Sequence, residues 1–448
     1  MSNAKQHAAE IVRILRERGH RAYFAGGCVR DLLLNREPAD YDVATDATPR
    51  QVMQIFPQTF AVGEQFGVVL VPEPKPVTDD DALRSTVEVA TFRSDVGYSD
   101  GRHPDEVRFT SDPREDVLRR DFTINGMMLD PATNEILDFV GGRDDLTAGI
   151  VRAIGDPNRR FAEDKLRMLR AVRFAARFDY RIDSATMEAI QTLASQIHQV
   201  SCERVREELT KMLTEGCAQR AFQLLDATGL LREVLPEIAA MKGVAQPPQY
   251  HPEGDVWVHT LGLLGQLETG CPATLAWGAL LHDVGKPPTF RPAPDRIRFD
   301  GHVEVGVAIG AEILRRFRFS NEDTRQILAL VENHMRFADA GRMKASTLKR
   351  FFRLDRFDEH LALHRMDCLA GGGNLDHWEF VRERWQTMPE EAVRPKPLIT
   401  GRELIAAGYK PGAAFKQMLR AVEDAQLEGI IATEEDALRL VKEKWRLE

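Results

Sequence analysis

Strand-forming sequence is concentrated near the start of this chain, and that asymmetry constrains the fold more than any other feature. Within residues 1–150 the segments "RAYFAGG", "DYDVAT", "GVVLVPE", "TVEVATF" and "EVRFTS" are short, rich in Val, Phe and Thr, and separated by helix-like pieces. That alternation predicts an α+β domain. From about residue 151 the strand signal vanishes, and apolar residues recur at helical spacing almost to the end. Pro and Gly cluster at 242–255, 291–296, 370–376 and 390–401. The expected organisation is a head over 1–150, a helical neck and body over 151–245, a helical module over 250–385 and a helical tail over 390–448. "PEPKPVTDDDALR", residues 72–84, reads as a surface loop interrupting a hairpin. Neither a fixed-period repeat nor a low-complexity tract is visible.

Composition excludes some classes. A chain of 448 residues with 43% hydrophobic and 29% charged residues has material for several water-soluble cores. No apolar run approaches the roughly 20 residues that cross a bilayer, so no membrane association is expected. The N-terminal stretch reads as a charged amphipathic helix rather than a signal peptide. Five scattered cysteines without a C-x-x-C pair predict neither a zinc ribbon nor a disulfide framework, and a reducing cytoplasm fits. A formal net charge of −9 argues weakly against a nucleic-acid binder, but a local basic stripe is compatible with it.

The most informative stretch is "FAGGCVRDLLLNREPADYDVAT", residues 24–45. In a strand, residues i and i+2 share a face, so Asp40 and Asp42 would present two carboxylates together while Tyr41 and Val43 face away. Paired hard anionic ligands suit Mg²⁺, which binds carboxylates and substrate phosphates. Gly26 and Gly27 follow a strand and open a helix, where bare backbone N–H groups admit a phosphate. Arg30, one turn in, adds a charge-assisted contact to the same triphosphate. Taken one at a time, the glycines equally make a tight turn, Arg30 a surface charge and Asp31 a brace.

"GGCVRD" followed by "DYDVAT" resembles the GGxVRD and DxD motifs of bacterial (class II) tRNA nucleotidyltransferases, the CCA-adding enzymes, and of the related poly(A) polymerases. "EVATFRSD", "DGRHP", "LRRDFTINGMMLD", "DFVGGRDDL", "RFAEDKLRMLRAVRFAARF" and "PLITGRELIAAGYKPG" resemble further family motifs in the family's order, across most of the chain. The resemblance implies a polymerase-β-like nucleotidyltransferase head followed by helical neck, body and tail. It assigns Arg119, Arg120, Asp121 and Asn125 to the sugar and phosphates of the incoming nucleotide. Glu88 reads either as a third carboxylate near the metals or as a solvent-facing strand residue.

In "RFAEDKLRMLRAVRFAARF", Asp164 and Arg167 stand at i and i+3 on an expected continuous helix. The family's E-D-x-x-R motif, matched by Glu163, Asp164 and Arg167, implies that these two side chains read the Watson–Crick edge of CTP or ATP. A guanidinium donates to cytosine's acceptors and a carboxylate accepts from an exocyclic amine. Arg170, Arg173 and Arg177 follow as a basic stripe that offers a phosphate track. The helix "SCERVREELTKML" takes Ser201 as N-cap, carries Arg204 and Arg206 in its first turns, and in the family helps hold the neck. The loop "SDVGYSDGRHP", 94–104, is shortened in members that add only CC and looks intact here, which favours addition of the terminal A.

"WGALLHDVGKP" ends an apolar helix with His282 and Asp283; His259, His302 and His334 lie in separate segments, and Asp367 in "HRMDCLAGGG". This spacing resembles the HD superfamily of metal-dependent phosphohydrolases. The resemblance implies His259, His282, Asp283 and Asp367 as core ligands of a divalent or transition metal, His302 and His334 at a second ion or the phosphate, and Lys286 at the phosphate. The combined expectation is a cytoplasmic enzyme that adds CMP, AMP or both, from CTP and ATP, to the tRNA 3′ end, with body and tail gripping the tRNA by shape; the HD resemblance implies a phosphohydrolase activity besides. No protein partner is inferable. The rivals are a poly(A) polymerase, disfavoured because "FAVGEQFGVVLV" lacks an arginine-rich segment and the chain shows no basic C-terminal extension, and an HD phosphohydrolase with an RNA-binding head.

Overall fold

A computed structural model describes residues 3–60, 67–73, 86–98, 105–249, 251–294 and 296–445. The interior of the 72–84 segment, the tip of the 94–104 loop and residues 61–66 of "FAVGEQFGVVLV" lie outside the described residues. The chain divides into two compact units, Met1–Pro236 and Glu237–Glu448.

The first unit opens with a mixed sheet built from β1 (Ala22–Ala25), β2 (Asp42–Thr45), β3 (Val68–Pro72), β4 (Thr86–Thr91), β7 (Met127–Leu129) and β8 (Ile136–Asp138) in the order β3-β4-β2-β1-β7-β8. β2 and β4 run parallel; the other neighbours are antiparallel. Between β4 and β7 the chain forms a separate antiparallel ribbon, β5 (Arg93–Val96) with β6 (Glu106–Phe109). Alternation of buried Val87 and Val89 with the outward Glu88 sets the face of β4. On the other face the helix Asn3–Glu17 buries Ala8, Ile11, Val12 and Leu15. β5, β7 and β8 were not among the expected strands: two are three residues long, and "MML" carries no β-branched signal.

The head limit at residue 150 also shifts. Ile150–Val151 pairs in parallel with Arg181–Ile182, so strand structure extends past 151. A second correction concerns "RFAEDKLRMLRAVRF". It is two helices, Pro157–Glu163 and Leu166–Phe178, with Asp164 extended between them at φ −149° and ψ 107°. The helix Leu166–Phe178 buries its apolar face against Cys202–Thr214 and Ala218–Ala227.

The second unit begins at Glu237, earlier than the expected limit at 245. Burial explains it: Met241 is fully buried, with its sulfur 3.6 Å from the Thr260 hydroxyl oxygen, and Gln246, also buried, accepts from Lys286. Its helices include Val256–Leu264, Ala273–Leu281, His302–Arg316, Asn321–Asn333 and Phe357–Ala370. Arg291–Pro292 pairs antiparallel with Ile297–Arg298, so strand pairing flanks the expected break. Gly285 is required by close approach, since a Cβ there would lie 2.0 Å from the His302 carbonyl oxygen. Phe337, Phe351 and Phe357 centre one apolar cluster, and Leu404, Val422 and Val441 another in the tail. Among the described residues no helix is long and apolar enough to cross a membrane.

Candidate functional site

In the first unit the chemistry converges where β1 ends. Gly26, at φ 75°, turns the chain from β1 into the helix Gly27–Leu33. A Cβ there would stand 3.1 Å from Arg120 Nη1 and 3.7 Å from Asp42 Oδ2, so the missing side chain leaves room beside a carboxylate and a guanidinium. Asp42 opens β2, opposite Ala25 on one side and Glu88 on the other. Asp40 does not belong to the strand: β1 runs out at Ala25, the partner of Asp42, so nothing pairs with the chain ahead of it, and Asp40 sits exposed in the preceding bend. Tyr41 and Val43 are buried.

Burial, reinforced by Glu88 and Asp40 and offset in part by Arg120, pushes the Asp42 carboxyl up to about 7. Glu88 is raised as well, first by desolvation on the protein side and then by Asp40, although its side chain remains reachable by water. Excess negative charge beside a Cβ-free turn is what a hard cation carrying a phosphate would relieve. The three acids are not drawn into a closed cluster. Among the described residues, the groups of three His, Cys, Asp or Glu ligand atoms within 4.8 Å of one another all lie in the second unit.

Asp116 was missing from the expected site, yet it anchors the arginines. Buried within the short helix Pro113–Leu118, it accepts from Arg119 at 2.7 Å and from Arg120 at 2.9 Å. The Asp-x-x-Arg-Arg spacing was the readable signal. Arg30 is buried: Nη1 donates to Asn125 Oδ1 at 2.7 Å, Nε donates to Asp31 at 2.8 Å, and the guanidinium lies 4.5 Å from the Phe178 ring centroid. Its geometry ties the glycine helix to the Thr123–Asn125 turn instead of opening it to a triphosphate. A Cβ on Gly27 would meet that guanidinium at 3.5 Å. Asp121 accepts from Arg170 Nε at 2.9 Å; burial opposes its charge, but Arg170 and Arg167 outweigh it and hold the carboxyl at about 2.

The break at Asp164 changes the expected neighbours. Arg167 Nη1 donates to Glu163 at 2.9 Å, while Asp164 receives Arg204 at 2.8 Å and the Leu166 N–H at 3.0 Å. The basic stripe is not an open phosphate track either. Arg173 is buried and donates to Glu208 at 2.7 Å, and Arg177 faces Glu215 at 3.6 Å.

The second unit gathers all six expected residues. His259 Nε2 lies 2.9 Å from Asp367 Oδ1, and His259, His282 and Asp367 form one group of ligand atoms, with Asp283, His302 and His334 forming another. His282 and Asp283 join the groups, 3.1 Å apart. His282, His302 and His334 each donate Nδ1–H to the carbonyl three residues earlier, at 2.8, 2.9 and 2.7 Å. That fixes the tautomer, and in all three Nε2 is buried without a hydrogen-bond partner. Three orphaned imidazole lone pairs beside two carboxylates fit a divalent or transition metal. Burial holds His334 down at about 4, which keeps its imidazole neutral. Lys286 Nζ reaches Asp283 at 2.7 Å, and both line a cavity of about 530 Å³ with His302, His334 and Asp367. Sequence reasoning missed His251 and Glu253, which also join this cluster.

Family models match in chain order: the Poly A polymerase head domain at 22–152, the probable RNA and SrmB-binding site of polymerase A at 179–242, and the HD domain at 257–360, which leaves His251 and Glu253 ahead of the last match. The CCA-adding enzyme of Bacillus pumilus is 39% identical over 59% of this chain and 65% of its own length. That of Limosilactobacillus reuteri is 31% identical over 95% of this chain and 93% of its own. The crystal structure of Bacillus stearothermophilus CCA-adding enzyme in complex with CTP is 27% identical with a TM-score of 0.74, covering 99% of this chain and 98% of that one.

Proposed function

The chain belongs to the CCA-adding enzyme family, and we propose that it is a cytoplasmic tRNA nucleotidyltransferase that adds CMP and AMP, from CTP and ATP, to a tRNA 3′ end. The 3′-hydroxyl attacks the α-phosphorus and pyrophosphate leaves. Asp40 and Asp42, with Glu88 in register across β4, would hold Mg²⁺; when bound, Mg²⁺ lowers the pKa of the attacking hydroxyl and neutralises the leaving charge. The chain's own residues supply the remaining steps. Gly26 leaves space for the phosphates, Arg120 faces them with a guanidinium held by Asp116, and Asp164 and Arg167 read the base.

The observation that carries this reading is Asp42 set beside Gly26, Arg120 and Glu88. The test offers tRNAs ending at the discriminator base, at C and at CC, with CTP or ATP separately, to the parent and to Asp42→Ala. Loss of incorporation in the variant supports the reading, and undiminished incorporation refutes it. Extension of tails without a stop would favour the poly(A) polymerase alternative.

A second reading is favoured by the three orphaned Nε2 atoms of the second unit: a metal-dependent phosphohydrolase. His259, His282, Asp283 and Asp367, with His302 and His334, would hold the metal, which when bound polarises a phosphoryl oxygen and acidifies water. Lys286 would orient the phosphate. Asp283→Asn should abolish hydrolysis of phosphate esters and spare nucleotide addition.

A further inference from the structure

Resting on the reading of the His259–Asp367 cluster as a metal centre, we propose that Glu253 is the positioning residue that aims His259 at the metal and holds His251 at the wall of the same cavity. Three of the cluster's imidazoles take their orientation from a backbone carbonyl three residues earlier: His282 and His334 follow the last residue of their helices, where carbonyls are open, and His302 opens its helix and uses Phe299 in the turn before it. His259 lies inside the helix Val256–Leu264, where the corresponding carbonyl, that of Val256, already accepts the Thr260 hydroxyl at 2.8 Å. It needs a side-chain anchor. Glu253 Oε1 provides one, 2.6 Å from His259 Nδ1, leaving Nε2 toward Asp367 at 2.9 Å.

The same Oε1 lies 2.9 Å from His251 Nδ1, whose ring meets that of His259 edge-on with centroids 4.8 Å apart. Glu253 Oε2 is buried without a hydrogen-bond partner, so the carboxylate's side-chain contacts are these two imidazoles, both at Oε1. His251 lines the cavity that Asp283, His302, His334 and Asp367 also line. One carboxylate thus orients one ring toward the ion and another toward whatever phosphate ester enters. A metal-ligating histidine held by a carboxylate loses about 10- to 100-fold in metal affinity when that partner is removed.

The full-length chain is titrated with Co²⁺ and followed by its visible absorption, in the parent and in Glu253→Gln, His251→Asn and Asp283→Asn. The expected result is binding in the parent, abolished in Asp283→Asn, weakened about 10- to 100-fold in Glu253→Gln and little changed in His251→Asn. Parent-like affinity in Glu253→Gln overturns the proposal while the metal centre stands. Absence of Co²⁺ binding in the parent, or binding indifferent to Asp283→Asn, overturns the metal reading itself. Should Glu253→Gln fail to fold, ¹⁵N-histidine spectra of the Co²⁺-free and Zn²⁺-loaded parent decide: a protected Nδ1–H on His259 supports the assignment, and a freely exchanging one refutes it.

Discussion

Arg204 grips Asp164 with both terminal nitrogens, Nη2 at 2.8 Å from Oδ2 and Nη1 at 3.3 Å from Oδ1. The aspartate stands between two helices, and the arginine reaches it from a third. A residue that reads a base must hold still, and in this extended linker the carboxylate is held locally by the Leu166 N–H alone and otherwise by Arg204. Charge-assisted hydrogen bonds of this kind contribute about 1.5–3 kcal/mol, discounted here because both side chains are partly exposed. Arg204→Gln should therefore raise UTP and GTP incorporation relative to CTP and ATP by about tenfold, with a smaller loss in total rate. Steady-state kcat/KM for the four nucleotides on one tRNA checks it; unchanged ratios would remove Asp164 from base reading.

Gly26→Ala tests the head geometry. The added Cβ meets Arg120 Nη1 at 3.1 Å, and the residue must keep φ 75° with ψ −133°, a mirror-β conformation that is essentially glycine-only and costs an L-residue on the order of 1–3 kcal/mol. Nucleotide incorporation should fall by more than tenfold while the melting temperature drops only a few degrees, about what that strain implies. Equal rates in parent and variant would mean that no phosphate passes this turn.

How far these features were legible depends on where their signal resides. Val-rich β4 and the run after Asp42 were readable because β-branched residues alternate there. Although a single helical histidine is more often packed or at the surface, the HD cluster was readable because the joint spacing of His259, His282–Asp283 and Asp367 resembles the HD superfamily. The break at Asp164 was not, because Glu-Asp-Lys contains neither Gly nor Pro and helical spacing continues on both sides. Glu208 reads as an ordinary surface acid, and only its distant partner Arg173 makes it a buried anchor. Asp116 and Glu253 have partners close in sequence, but nothing in the local pattern marks the first as buried or the second as facing two imidazoles. Arg30 and Arg173, charges expected at a ligand, fold inward against Asn125 and Glu208, which spacing along a helix does not reveal.

Asp42 gives a pH signature. Its carboxyl is raised to about 7, chiefly by burial and then by Glu88 and Asp40, so below pH 7 protons compete with Mg²⁺ for it. The Mg²⁺ concentration giving half-maximal incorporation should rise as pH falls from 8 to 6. Stability runs the other way: a group raised from 3.8 to about 7 favours the fold below its unfolded value, and that contribution is lost as pH climbs through 7. Metal-free Asp42→Asn should therefore melt above the parent at pH 8 and converge with it near pH 4. Calorimetry across that range decides, and coincident curves at every pH would contradict the raised carboxyl.

The pair Arg173–Glu208 makes a prediction about the neck alone. Both side chains are almost wholly buried, with Nε 2.7 Å from Oε2, and Glu208 also lies 3.8 Å from Arg170. Removing one member of a buried pair strands the other charge at about 3–5 kcal/mol, whereas replacing both by apolar residues of similar size is often neutral. Glu208→Leu should thus be strongly destabilising. Arg173→Met combined with Glu208→Leu should recover most of the loss, provided that Arg170 turns fully to Asp121, with which it already pairs at 2.8 Å. Denaturant unfolding of the two single variants and the double variant measures the coupling. If Arg173 instead served as an exposed phosphate contact, Arg173→Met would leave the unfolding midpoint unchanged and weaken tRNA binding in a salt-dependent way.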